Sequence, residues 1–161
     1  MPDEKYILKK SEIENFEGTA KQHFLNENAR RTNKSLGDLT GLTGFGFLLI
    51  DVPPGCESTE FHAHYHEDEC TYVLSGKGTV TIGENTYNIE GGDFIGYRAR
   101  GLPHTMKNTG DVPLKCIVVG QRLEHDVGDY PKKGKRIYRN AGLPWSLVDL
   151  SDIENPVAGK K

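Results

Sequence analysis

The chain has 161 residues, about one domain, and its 20 Lys and Arg against 23 Asp and Glu give a formal charge of −3. That length buries a sizeable core without metal or disulfide staples, and a weakly acidic surface does not favour a nucleic-acid backbone as partner. The opening MPDEKYILKK is polar, and no apolar run reaches the roughly 18 residues of a membrane span, so a cytoplasmic protein with neither nucleic acid nor membrane as partner is expected.

Residues 1–40 are mostly polar and carry no sustained helical stripe, which predicts an extended N-terminal arm. Ser11, with Glu14 after it, fits the cap of a short turn. Arg30, Arg31 and Lys34 form a small basic cluster, read as solvated surface. From Gly41 the pattern changes to short strands broken by turns: GFGFLLIDV, STEFHAHYHE, ECTYVLS, TVTIG with NTYNIE as a hairpin about Glu84, GGDFIGY, HTMKN and PLKCIVVG. Strands at about 8–12-residue spacing with glycine turns predict an all-β sandwich or barrel over 41–120. No convincing helix interrupts them, which argues against βαβ units.

Residues 121–161 are polar but studded with Tyr130, Ile137, Tyr138, Leu143, Trp145, Leu147 and Val148. A free tail has little use for such anchors, so this extension is expected to wrap on the barrel, with one added edge strand at KRIYR. Cys56, Cys70 and Cys116 form no CxxC pair, and an odd count argues against a disulfide framework. Cys70 and Cys116 read as buried thiols, and Cys56, after a Pro-Pro-Gly turn, as the more exposed.

FHAHYHEDE places His62, His64 and His66 at every second position. In a strand these share one face, opposite the more apolar Phe61, Ala63 and Tyr65. On an ordinary half-buried strand that face would meet water. Inside a barrel, buried imidazoles need partners, and a metal ion is the economical one. Glu69 begins the next strand in phase with Thr71 and Val73. A further donor is expected from a later strand that is near in space, and His104 is the good candidate. His66 lies near the bend at Glu67-Asp68. It reads as a group at the pocket mouth and as the candidate general base. Glu67 and Asp68 read as a solvated acidic turn.

These residues resemble the two cupin motifs. The first, a glycine, His-any-His, Glu and Gly, reads GCESTEFHAHYHEDECTYVLSG from Gly55 to Gly76. The second reads GDFIGYRARGLPHTMKN from Gly92 to Asn108, with Ala99 where a proline is usual. The gap from Gly55 to His62 and the run from Gly92 are each one residue longer than the common form. The chain also resembles small single-domain bacterial cupins of mostly unassigned function through HAHYHEDE, LGDLTGLTGFG and GDYP. The resemblance implies a cupin-type double-stranded β-helix, a jelly-roll barrel, with His62, His64, Glu69 and His104 as ligands of one divalent transition metal ion. Mixed nitrogen and oxygen donors suit Fe, Mn, Ni or Zn.

Arg98 and Arg100, before the Gly101 turn, are candidate pocket groups that would grip a carboxylate, and Met106 shares the phase of His104. Phe94 and Tyr97 read as core, Asn108 as an anchor for the turn after its strand, and His23 and His125 as incidental. The functions left open are a metal-dependent enzyme, dioxygenase or isomerase-like, on a small oxygenated or acidic metabolite; a small-molecule-binding sensor; and an interaction scaffold. With no base but His66 near the motif, the dioxygenase is the easier of the two enzymes to picture. A small-molecule ligand and a homodimer using the arm or tail are the expected partners.

Overall fold

Alternating apolar residues and glycine turns build a two-sheet jelly roll in the computed structural model, which describes residues 5–159. A short helix α1 (Lys10–Asn15) precedes β1 (Thr19–His23) and β2 (Asn26–Ser35), and a turn of helix α2 (Leu36–Leu39) leads into β3 (Phe45–Val52). There follow β4 (Ala63–His64), β5 (Glu69–Ser75), β6 (Lys77–Ile82), β7 (Asn85–Glu90), β8 (Phe94–Tyr97), β9 (His104–Asn108) and β10 (Leu114–Gln121). The last strands are β11 (His125–Tyr130), β12 (Lys135–Asn140) and β13 (Ser146–Asp149).

One sheet has the order β1-β2-β3-β10-β5-β8. The facing layer starts with β7-β6-β9 and continues across segment 56–64 to β11-β12-β13. That segment is stitched to β9 by the Ser58 N–H to the Met106 carbonyl at 2.9 Å and by a reciprocal pair between His62 and His104 at 3.1 and 2.8 Å. STEFHAHYHE is therefore extended but irregular: only Ala63–His64 forms a strand, paired with β11. The β6–β7 turn has Gly83 at φ +59° in the first of its two loop positions, where a II′ hairpin needs a residue free of a Cβ.

Residues directly opposite in antiparallel pairs face the same side, so the register sorts the interior into levels. Val52 lies opposite Leu114, and Ile50 opposite Cys116, which faces Val73. Leu48 and Val118 lead to Thr71 and Ile95, and Gly46 and Gly120 lead to Glu69 and Tyr97. Along each strand the inner residues thus pass from large aliphatic to polar or small. One end of the barrel is a dry plug that includes Ile50, Val52, Val73, Val80, Leu114 and Cys116, and the other end is polar. At the dry end Asn108 is fully buried; its amide donates to the carbonyls of Val52 and Val112, both at 2.8 Å, and its oxygen accepts from the Gly110 N–H at 2.9 Å.

Several expectations change. Residues 19–35 are not a free arm: β1 and β2 extend the main sheet through pairs such as Asn33 with Ile50. The first helix is closed by Glu12, whose carboxylate accepts the Lys9 N–H at 2.8 Å, and not by Ser11. The C-terminal extension supplies three strands, not one, and KRIYR is interior to its sheet, flanked by β11 and β13. Tyr130 and Ile137 are buried as anchors, but Leu143 and Trp145 are each 64% exposed. Phe94 is 67% exposed, on the outer side of β8. Cys116 is buried; Cys70 lies on the outer face, and Cys56 packs against the core. With Tyr72, Leu74, Ile117 and Val119 that outer face is largely apolar.

Replacing Asn108 by Ala strands the carbonyls of Val52 and Val112 in the dry plug. Urea unfolding of the Asn108→Ala variant is expected to show a loss of about 3 kcal/mol, with an unchanged denaturant slope.

Candidate metal centre

At the polar end three donor groups converge. His62, Glu69 and His104 each offer a ligand atom, and these lie within 4.8 Å of one another. The His104 Nε2 is 3.7 Å from the Glu69 Oε1. The His104 ring is clamped by Tyr97, stacked at 3.6 Å between centroids and 7° between planes. Both of its nitrogens are buried without a hydrogen-bond partner. His64 joins the set through His62 alone, their Nε2 atoms 3.1 Å apart. Donors at right angles on an ion with bonds of about 2.1 Å would be about 3 Å apart, which is this separation.

The outer contacts of the two rings fix what the inner atoms can do. The His62 Nδ1 lies 2.8 Å from the Glu60 carbonyl, and the His64 Nδ1 lies 2.6 Å from the Asp126 carboxylate. A carbonyl and a carboxylate only accept, so each ring places its proton on Nδ1. Two Nε2 lone pairs are left facing each other, and neither neutral ring can donate to the other. A cation is what this pair lacks, and the donor set fits one. Burial, then the neighbouring His104, lowers His62 to about 3 against the pull of Glu69. Burial alone would raise Glu69, but His104, with His62 and His64, holds it down at about 2. A neutral His62 beside an ionised Glu69 is the form that binds metal.

Behind His64 lies a second acidic group, Glu67 and Asp126. It already has its cation: Arg139 donates to Glu67 and, at 2.5 Å, to Asp126. Asp126 also accepts the backbone N–H groups of His66 and Glu67 at 3.0 and 3.3 Å. Burial would raise its carboxyl, but hydrogen bonds from His64 and Arg139 hold it far below the ordinary carboxylate range. Glu67 is buried, not a solvated turn residue. The sequence reading missed Asp126 and Arg139 because β11 and β12 were taken as a wrap. Period-two alternation in HDVGDY was the signal that places Asp126 and Tyr130 on one face.

The other expected pocket groups divide. His66 is exposed on the bend that follows β4 and is not among the grouped donors. Met106 is 4% exposed and belongs to the aliphatic core, one level below His104, not to the pocket. Arg98 lines a cleft of about 380 Å³ with Asp68, Glu69, Tyr97 and Leu102, so this cleft reaches the donor set. Arg100 lines another beside His64, Tyr65 and Asp129; it sits at φ +59°, held by its N–H to the His64 carbonyl at 2.8 Å. His23 is not incidental: its ring stacks on Phe24 and meets Tyr130, which lies 6.2 Å from His62.

A family model described as a cupin domain matches residues 48–120. The structure is similar over nearly its whole length to that of an Acidithiobacillus ferrooxidans protein provisionally named a sugar phosphate isomerase, with TM-score 0.91 and 49% identity over 94% of this chain and 97% of that one. It is also similar to a cupin-superfamily protein of Silicibacter pomeroyi named a sugar phosphate isomerase, with TM-score 0.79 and 25% identity over 91% and 94% of the two chains. An uncharacterized protein of Methanocaldococcus jannaschii is 38% identical over 66 residues, 41% of this chain and 51% of that protein, so the match spans about half of that relative.

Elemental analysis is expected to find a divalent transition ion in the native protein and little in His62→Ala or His104→Ala, with circular dichroism unchanged. Unaltered occupancy in both variants would remove the centre. Asp126→Asn is expected to weaken metal affinity by about 10–100-fold, since it loosens the His64 tautomer. In the metal-free protein, unfolded His62 takes a proton near 6.5 while folded His62 resists to about 3. Stability from this residue is full above the unfolded value and is lost as pH falls towards the folded one. Glu69, lowered from 4.5 to about 2, adds a loss of the same sign below 4.5. Thermal melts between pH 7 and pH 5 are therefore expected to fall more steeply for the native chain than for His62→Gln.

Proposed function

The chain belongs to the cupin superfamily, and on that premise we propose that it is a metal-dependent isomerase of a small phosphorylated sugar, with His62, His64, Glu69 and His104 holding one divalent transition ion. The observation that carries the substrate class is the likeness, at 49% identity over 94% of this chain, to a protein provisionally named a sugar phosphate isomerase. A likeness of that extent reaches beyond 48–120 into both flanks. It favours the isomerase over the dioxygenase.

A bound divalent ion would polarise a substrate carbonyl and stabilise negative charge developing on its oxygen. The residues of the chain do the rest. Glu60 and Asp126 hold the Nδ1 atoms of His62 and His64, so both rings keep their Nε2 atoms aimed inward. Tyr97 fixes the plane of His104. Burial, then the charge of Glu69, raises the Tyr97 hydroxyl, which stays protonated and faces the Thr71 hydroxyl. The cleft lined by Glu69, Tyr97 and Arg98 is the way in for a small polar substrate. The aliphatic plug below Glu69 closes the far end to water.

The test is a panel of aldose and ketose phosphates, followed by NMR with metal-loaded protein. Interconversion of at least one pair is expected, abolished by a chelator and in His104→Ala. Saturable binding with no turnover across the panel would assign the chain to the sensor reading, and oxygen consumption with any of these sugars would favour the dioxygenase.

A further inference from the structure

The basic cluster of β2 divides between two faces. Asn33 pairs with Ile50, which is 1% exposed in the core, and Ala29, on the same face, is 2% exposed. Arg31 lies between them in the two-residue period, so its side chain points inward, while Arg30 points to solvent. Arg30 donates to the Glu27 carbonyl and Lys34 to the Ile13 carbonyl. Arg31 makes no side-chain hydrogen bond and no ion pair among the described residues. Glu60 and Glu69, the acids that share the interior, both lie beyond ion-pair distance of it. A guanidinium has five N–H donors and stays charged in proteins, so leaving it unpartnered inside a barrel is costly.

Its surroundings are those of the donor set. Burial lowers the Arg31 value and the charge of Glu69 opposes this. Arg31 also acts, after burial, to lower His23. The His23 ring meets Tyr130 at 5.3 Å, and Tyr130 stands 6.2 Å from His62. The Asn33 oxygen, next along this face of β2, is unpartnered as well, and the Thr71 and Tyr97 hydroxyls have only each other. An interior with one unpaired cation and several unsatisfied polar atoms is shaped for a polar, anionic guest.

We propose that Arg31 receives the phosphate of the ligand bound at this centre. The proposal rests on the sugar phosphate reading and names the residue that tells phosphorylated from plain sugar. A guanidinium fork matches two phosphate oxygens at once, which an ammonium does not. Arg98 and Arg100 are weaker candidates for the anionic end because both are exposed, where an ion pair gains little over solvation. Arg31, partly withdrawn from water, gains more from an oxyanion than either.

The test is calorimetric titration of the metal-loaded full chain with ribose 5-phosphate, ribose and inorganic phosphate. The native protein is expected to prefer ribose 5-phosphate to ribose by about tenfold or more, and to bind inorganic phosphate. Arg31→Gln is expected to lose that preference and the phosphate affinity, with ribose binding and metal content unchanged. Arg31→Lys should recover part of the preference and serves if the Gln variant does not fold. A preference retained in Arg31→Gln overturns the proposal. So does a loss of metal in parallel with phosphate affinity, which would make Arg31 a counter-charge for Glu69. Turnover of sugar phosphates that persists in Arg31→Gln with undiminished affinity sinks this role and leaves the isomerase standing. A native protein that neither binds nor converts any sugar phosphate sinks both.

Discussion

Two imidazole nitrogens 3.1 Å apart, each left with an inward lone pair when the rings are neutral, are the constraint around which the polar end of this barrel is organised. The arrangement persists only because the far side of each ring is held. A backbone carbonyl holds His62, and a buried carboxylate on another strand holds His64. That carboxylate in turn depends on Arg139 from the next strand. The contact between two residues of one short segment is thus maintained by β11 and β12, remote in sequence. A cation between the lone pairs relieves the repulsion that the outer hydrogen bonds impose.

The rest of the interior makes that constraint affordable. Inner residues are aliphatic at one end of the strands and become small or polar towards the other, level by level across the register. The apolar plug contributes most of the burial that folding needs. Gly46 and Gly120 lie on the level that carries Glu69. A Cβ added at Gly120 would touch the Glu69 carboxylate at 3.5 Å, so this glycine keeps the ligand's wall open. Stability and chemistry are separated along the strand direction, and the same two-residue alternation serves both.

The site also shows how far a local motif reaches. His62, His64, Glu69 and His104 could be picked from FHAHYHEDE and the later HTMKN because period two puts donors on one face. The same reasoning put His66 on that face, but the strand ends at His64 and the bend leaves His66 exposed. Met106 was placed in phase correctly but a level too deep to line a pocket. Glu67 looked like a solvated turn residue until Arg139, 72 positions later, proved to be its partner.

By itself the sequence determined the all-β class, the core strands, the inward face of β5 and the candidate donors, because these follow from alternation, turn residues and spacing within a few positions. Only the tertiary structure decided that residues 19–35 and 125–149 are strands of the two sheets, that Asp126 and Arg139 stand behind His64, and that Arg31 faces inward. Those facts depend on which distant strands pair and in what register. Register is set by the summed burial of whole faces, and that sum is not written in any short stretch of the chain.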